Sequence, residues 1–292
     1  LMYLNGQGVQ KDDVKAFEWY SKAAAQGDPS AQRALGLMYV NGRGVQKDDV
    51  KAFEWFLKAA AQGDPSAQNN LGIMYLNGQG VQKDDVKAFE WYSKAAAQGD
   101  PSAQRALGLM YVNGRGVQKD DVKAFEWFLK AAAQGDPSAQ NNLGIMYEYG
   151  RGIQKDDVKA FEWYSKAAAQ GDPSAQFNLG LMYVNGRGVQ KDDVKAFEWF
   201  LKAAAQGDPS AQNNLGIMYE YGRGIQKDNT KAFEWYFKAA KNGNATAQFN
   251  IGQSYLNGSN GLSKNRVEAL NWLRKSASNG VVQAKLILTE LQ

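Results

Sequence analysis

Apolar and polar positions follow two helical rhythms in each stretch of 36 residues, and the segment from Asp28 to Gly63 shows both. In "DPSAQRALGLMYVNG" (28–42), Ala31, Ala34, Leu35, Met38 and Tyr39 fall on one arc at about 100° per residue, which predicts a first helix with a single core stripe. Asp28 suits the N-cap, and Pro29 suits the first helical position, where no amide bond is lost. Gly36 lies mid-helix, where it costs about 1 kcal/mol against alanine, so a neighbouring helix is expected to approach closely there. In the turn "NGRGVQ", Gly42 and Gly44 are free to take positive φ and Val45 turns inward.

The second helix is "DDVKAFEWFLKAAAQ" (48–62). Asp48 and Asp49 complement the positive end of its dipole, and Gly63 ends it. Its polar face is narrow: Lys51, Glu54, Lys58 and Gln62, with Glu54 and Lys58 in the favourable i,i+4 order. Val50, Ala52, Phe53, Trp55, Phe56, Ala59 and Ala60 fill the rest of the circumference. A helix so widely apolar needs a neighbour on both sides, and the next copy of the hairpin supplies one. Burial of one such tryptophan is expected to contribute about 4–6 kcal/mol before entropy.

The unit recurs along the whole chain. The eight tryptophans stand at 19, 55, 91, 127, 163, 199, 235 and 272, a spacing of 36 that becomes 37 at the last step. Residues 2–72 and 74–144 are identical, as recent tandem duplication or consensus construction would each produce. A period between about 20 and 50 residues marks a solenoid, propeller or array. The expected organisation is one array over 1–292. It comprises a truncated unit (1–27), seven complete hairpins (28–63, 64–99, 100–135, 136–171, 172–207, 208–243 and 244–280) and a C-terminal capping helix (281–292).

Composition narrows the chemistry. The 292 residues include no cysteine and no histidine, which removes thiol nucleophiles, imidazole bases, disulfides and zinc sites built from those residues. The net charge of +4 argues for no general polyanion surface, so nucleic acid is not an expected partner. No apolar run approaches the roughly 18 residues of a membrane helix. Gly-x-Gly recurs in every turn without a preceding strand, so it reads as turn chemistry, and no cofactor is expected. The Asp48–Asp49 pairs read as helix caps in every copy, rather than as carboxylate chemistry or a metal site. Arg43, Arg115, Arg151, Arg187 and Arg223 share one turn position and read as a solvated edge, with a basic stripe as the alternative.

The run Ala31, Leu35, Gly36, Tyr39, Gly42, Gly44, Val45, Asp48, Lys51, Ala52, Trp55, Phe56, Lys58, Ala59, Ala60 and Gly63 resembles the Sel-one-like repeat family, a relative of the tetratricopeptide repeats. The match repeats through nearly the whole chain. The resemblance implies an all-α fold, a right-handed superhelical α-solenoid of 36-residue helix-turn-helix repeats with the first helices on the concave face. It also implies a non-enzymatic scaffold or adaptor of bacterial signalling, envelope or host interaction, in the periplasm or secreted. Two features depart from the family: no cysteines staple the repeats, and the copies are nearly identical.

Function is expected where repeats differ while the fold is indifferent, opposite the core arc of the first helices. There the front half is monotonous, and the second half is not. One unit carries Asn141, Ile145, Glu148 and Tyr149, and its counterpart two repeats on carries Asn213, Ile217, Glu220 and Tyr221. Between and after them stand Phe177, Leu181 and Val184, then Phe249, Gln253 and Leu256. Exposed aromatics there offer contact area, and the glutamates offer selectivity for a basic or amide-rich segment of a peptide or protein. The aliphatic members also read as packing between adjacent first helices. The uncapped front face around Phe17 and Trp19 is expected to be exposed or to support end-to-end self-association. Two rival readings are a structural or designed array without a ligand, and a hydrolase of cell-wall glycan using a carboxylate pair.

Overall fold

The computed structural model describes residues 12–291, and among these every regular element is an α-helix. The second helices of the hairpins are α1 (Asp13–Ala25), α3 (Asp49–Ala61), α5 (Asp85–Ala97), α7 (Asp121–Ala133), α9 (Asp157–Ala169), α11 (Asp193–Ala205), α13 (Asn229–Lys241) and α15 (Arg266–Ser278). The first helices are α2 (Pro29–Asn41), α4 (Pro65–Asn77), α6 (Pro101–Asn113), α8 (Pro137–Tyr149), α10 (Pro173–Asn185), α12 (Pro209–Tyr221), α14 (Ala245–Asn257) and α16 (Val282–Glu290). The chain forms two compact units, Leu1–Ala139 with Arg151–Gln154, and Gln140–Gly150 with Lys155–Gln292. Within each, helices pack on their neighbours in chain order, the nearest-neighbour stacking of a solenoid.

Local chemistry sets the boundaries. The Asp28 carboxylate accepts the Ala31 amide at 2.6 Å, and the Asp48 carboxylate accepts the Lys51 amide at 3.0 Å. These acids serve as caps, supplying acceptors for amides that a helix start leaves unpaired. Gly42 ends α2 in the left-handed region at φ 64°. Two residues later Gly44 serves a different need. Its turn lies against the start of α1, and a Cβ there would come within 2.0 Å of the Asp13 carbonyl oxygen.

From α3 onward the core is built around the residue after each tryptophan. Phe56, Tyr92, Phe128, Tyr164, Phe200 and Tyr236 are buried almost completely, whereas Trp55 and its later counterparts are half-buried. Each buried ring lies on the mid-helix glycine of its own hairpin: a Cβ on Gly36 would meet the Phe56 ring at 2.5 Å. The expected close approach at Gly36 is thus a ring on bare backbone. The tryptophan is not the sandwiched residue that the helical wheel suggested. Its ring carries Lys58 at 4.2 Å from its centroid, so this lysine engages an aromatic face, where the wheel had paired it with Glu54.

Three further links join successive repeats. Phe17 meets Tyr39 edge-on, with centroids 5.5 Å apart and planes at 86°, and the geometry repeats up the array. Arg43 bonds Asp13 at 2.9 Å and Arg115 bonds Asp85 at 3.0 Å, so these turn arginines reach back to the previous second helix. Buried Gln32 donates to the Ala24 carbonyl at 3.3 Å and accepts from Gln62 at 2.8 Å. The same glutamine ladder recurs through Gln68 with Gln98 and Gln104 with Gln134. Buried amides satisfied in this way set the register between hairpins, because a shifted neighbour leaves them unpaired.

Leu1–Leu4, the expected tail of a truncated first helix, lie outside the described residues. Of the face expected beside them, Trp19 is 59% exposed while Phe17 is half-buried. On α16, Lys285, Thr289 and Glu290 face solvent together with Val282 and Leu286.

Candidate functional site

The variable positions of the first helices divide by burial in the second unit. Tyr149 and Tyr221, the last residues of α8 and α12, are 61% and 68% exposed. The equivalent residues of α2, α4, α6, α10 and α14 are Asn41, Asn77, Asn113, Asn185 and Asn257, so the aromatic substitution confines itself to these two repeats. Ile145, Phe177, Leu181, Val184, Ile217, Phe249, Gln253 and Leu256 are half-buried. Phe177 leans on the Phe200 ring, with centroids 5.8 Å apart, and Ile145, Leu181 and Val184 border the same core. These apolar side chains are therefore committed in part to the core.

The polar members are committed internally. Glu148 is 8% exposed. Its carboxylate accepts the Tyr164 hydroxyl at 2.6 Å and closes an ion pair with the Arg187 guanidinium. Arg187 sits where Arg43 and Arg115 do, yet it turns from the matching aspartate, Asp157, to reach Glu148. Lys155 stands 3.6 Å from Asp157 instead. Glu220 repeats the motif: it accepts the Tyr236 hydroxyl at 2.6 Å and is approached by Asn260 Nδ2 at 3.4 Å. Asn260 occupies the one-residue-longer turn and holds φ at 54°, tolerable for asparagine. Asn141 and Asn213 are buried and accept from Asn178 and Asn250 at 3.0 and 3.1 Å.

The two glutamates therefore do not offer free charge to a basic ligand, as their place opposite the core arc had suggested. They order the first-helix face and leave the tyrosines beside them exposed. Burial raises the ionisation of the Tyr164 and Tyr236 hydroxyls well above the usual tyrosine range, and at Tyr236 the bond to Glu220 adds to it. Tyr164, Arg187, Asn178, Asn250 and Asn260 were missed as parts of this region. One signal was present: tyrosine rather than phenylalanine follows both Glu148 and Glu220 by 16 residues.

The strength of this pairing is open to measurement. Glu148→Ala is expected to lower stability by about 1.5–3 kcal/mol in urea unfolding, because the Tyr164 hydroxyl and Arg187 lose a buried charged partner. In Glu148→Ala/Tyr164→Phe the loss is expected to be smaller than the sum of the single losses. Strict additivity contradicts the coupling.

Among the described residues no cluster of acidic side chains is arranged to hold a metal ion, and no helix is long and apolar enough to cross a membrane. The Sel1 repeat profile matches residues 1–28, 29–64, 65–100, 101–136, 137–172, 173–208, 209–244 and 245–281. A protective antigen of uropathogenic Escherichia coli with an SLR fold superposes at a TM-score of 0.83 with 40% identity, over 99% of this chain and 62% of its own. The chain thus spans about three fifths of that protein's length. A Sel1 repeat protein of Oxalobacter formigenes superposes at 0.77 with 37% identity, over 95% of this chain and 81% of its own. No curated protein matches the chain.

Proposed function

We propose that this chain, which belongs to the Sel1 repeat family, is a non-enzymatic interaction scaffold that binds a peptide or protein segment along its first helices. Solenoids of this family are commonly protein-interaction scaffolds. The observation that supports the finer reading is the pair of exposed tyrosines, Tyr149 and Tyr221, at equivalent helix ends where the sister repeats carry asparagine. A tyrosine offers large contact area with few rotatable bonds, so it anchors a partner at low entropic cost. Ile145, Phe177, Leu181 and Val184 on α8 and α10, and Ile217, Phe249, Gln253 and Leu256 on α12 and α14, complete the proposed surface. Glu148, Glu220, Asn141 and Asn213 hold that surface in place through their internal bonds.

Peptides selected from a displayed library against the intact chain test this directly. Tyr149→Ala/Tyr221→Ala is expected to weaken their binding by at least about tenfold, or roughly 1.4 kcal/mol. Arg33→Ala/Leu37→Ala is expected to leave it unchanged. Equal binding by both variants removes the tyrosines from the site. A selection that enriches no peptide favours a structural array without a ligand.

A further inference from the structure

The Glu148 arrangement has a sister position in the first unit that lacks its carboxylate. Two repeats earlier, Leu76 stands in place of Glu148, Tyr92 in place of Tyr164 and Arg115 in place of Arg187. Tyr92 is 2% exposed, and its ring lies on the bare backbone of Gly72. A groove of about 380 Å³ opens over it, lined among others by Leu76, Tyr92, Arg105, Leu109, Met110 and Arg115. In the second unit this place is filled, because Glu148 bonds Tyr164 and Arg187, and Phe177 replaces Arg105.

The charges around Tyr92 are those of a carboxylate site held in reserve. Arg105 lies 3.4 Å from Asp136, and Arg115 lies 3.0 Å from Asp85. At Arg187 the turn arginine pairs with the carboxylate beside the tyrosine rather than with its aspartate, and that aspartate pairs with the lysine two residues before it. Lys83 stands in that relation to Asp85, and its charge, behind that of Arg115, helps hold the Asp85 carboxyl below its usual range. Burial pushes the Tyr92 hydroxyl up to about 12, and the fields of Arg105 and Arg115 pull against that rise, so both cations are felt at the hydroxyl. A neutral buried O–H beside an arginine is a strong donor pair for a carboxylate.

We propose that the groove over Tyr92 binds a glutamate side chain of a partner peptide, its carboxylate taking the Tyr92 hydroxyl and Arg115 as Glu148 takes Tyr164 and Arg187. The proposal rests on the scaffold reading for the source of the carboxylate, but not on Tyr149 or Tyr221. The chain thus contains both the site and, two repeats on, a copy filled by its own side chain.

The probe is a five-residue peptide with one central glutamate and both ends capped, and its glutamine counterpart serves as control. The readout is the methyl signal of methionine-labelled protein, because Met110 lines this groove and Met182 occupies the filled one. The glutamate peptide is expected to shift Met110 and not Met182, with a Kd on the order of 1 mM for a single anchoring group. Tyr92→Phe is expected to weaken the response at least about fivefold, or roughly 1 kcal/mol. It is expected to fold, since Phe56, Phe128 and Phe200 hold the equivalent place. Leu76→Glu, which installs the internal ligand, is expected to abolish the response. The site is overturned by an equal shift with the glutamine peptide, by no shift at about ten times that Kd, or by an unchanged response in Leu76→Glu. A shift with free glutarate and none with the peptide overturns the peptide assignment. Loss of library binding in the Tyr149/Tyr221 variant with the Met110 response intact leaves this site standing, so the two readings fail separately.

Discussion

Phe128→Ala is expected to destabilise its hairpin by about 3–5 kcal/mol, while Trp127→Ala, one residue away, costs about half as much or less. Phe128 is 1% exposed and rests on the bare backbone of Gly108, whose Cβ position lies 2.4 Å from the ring. Truncation leaves a cavity that rigid helices on either side close only in part, so the lost transfer energy and the cavity add. Trp127 is half-buried and keeps Lys130 over its outer face at 4.1 Å from the centroid, so part of its area is already in water. Hydrogen exchange read helix by helix separates local from global loss, because coupling along an array passes between neighbours. Protection is expected to fall most in α6 and α7. A larger loss from Trp127→Ala reverses the assignment of the core residue.

That comparison also shows what was legible in the sequence. Helices, caps and turns could be read because each is decided by neighbours in the chain: Asp28 and Pro29 start a helix, and Gly42 ends it, whatever lies beyond. The choice between adjacent aromatics was not local. Trp55 and Phe56 both belong to the apolar arc, and only the crossing of the second helix over Gly36 decides which ring is enclosed. The glutamine ladder escaped for the same reason. Gln32 is polar and reads as a surface residue until Gln62, 30 residues away, is placed against it. Glu148 is the sharpest case, since a charge opposite the core arc reads as solvent-facing. Its partners lie 16 and 39 residues further on, in α9 and in the turn after α10, and only packing brings them together.

Two glycines in one turn separate conformational cost from collision, and the contrast gives the largest expected effect of any small substitution. Gly114 holds φ at 64°, and a methyl group there would have Lys119 Cβ as its nearest foreign atom, at 3.5 Å. Gly114→Ala therefore costs only the left-handed backbone, about 1–2 kcal/mol, offset in part by the stiffer unfolded chain. Gly116 holds φ at 66°, but a Cβ there falls 2.0 Å from the Asp85 carbonyl oxygen and 2.5 Å from its carbon. These are backbone atoms at the start of α5, so no side chain can swing aside. The turn must lift from the previous second helix, which also parts the hydrogen bond from Arg115 to Asp85. Gly116→Ala is expected to exceed Gly114→Ala by at least about 2 kcal/mol in urea unfolding, at the upper range of overpacking costs. Protection at the start of α5 is expected to fall in Gly116→Ala alone. Equal losses from the two substitutions mean that the turn does not seat on its neighbour as the structure describes.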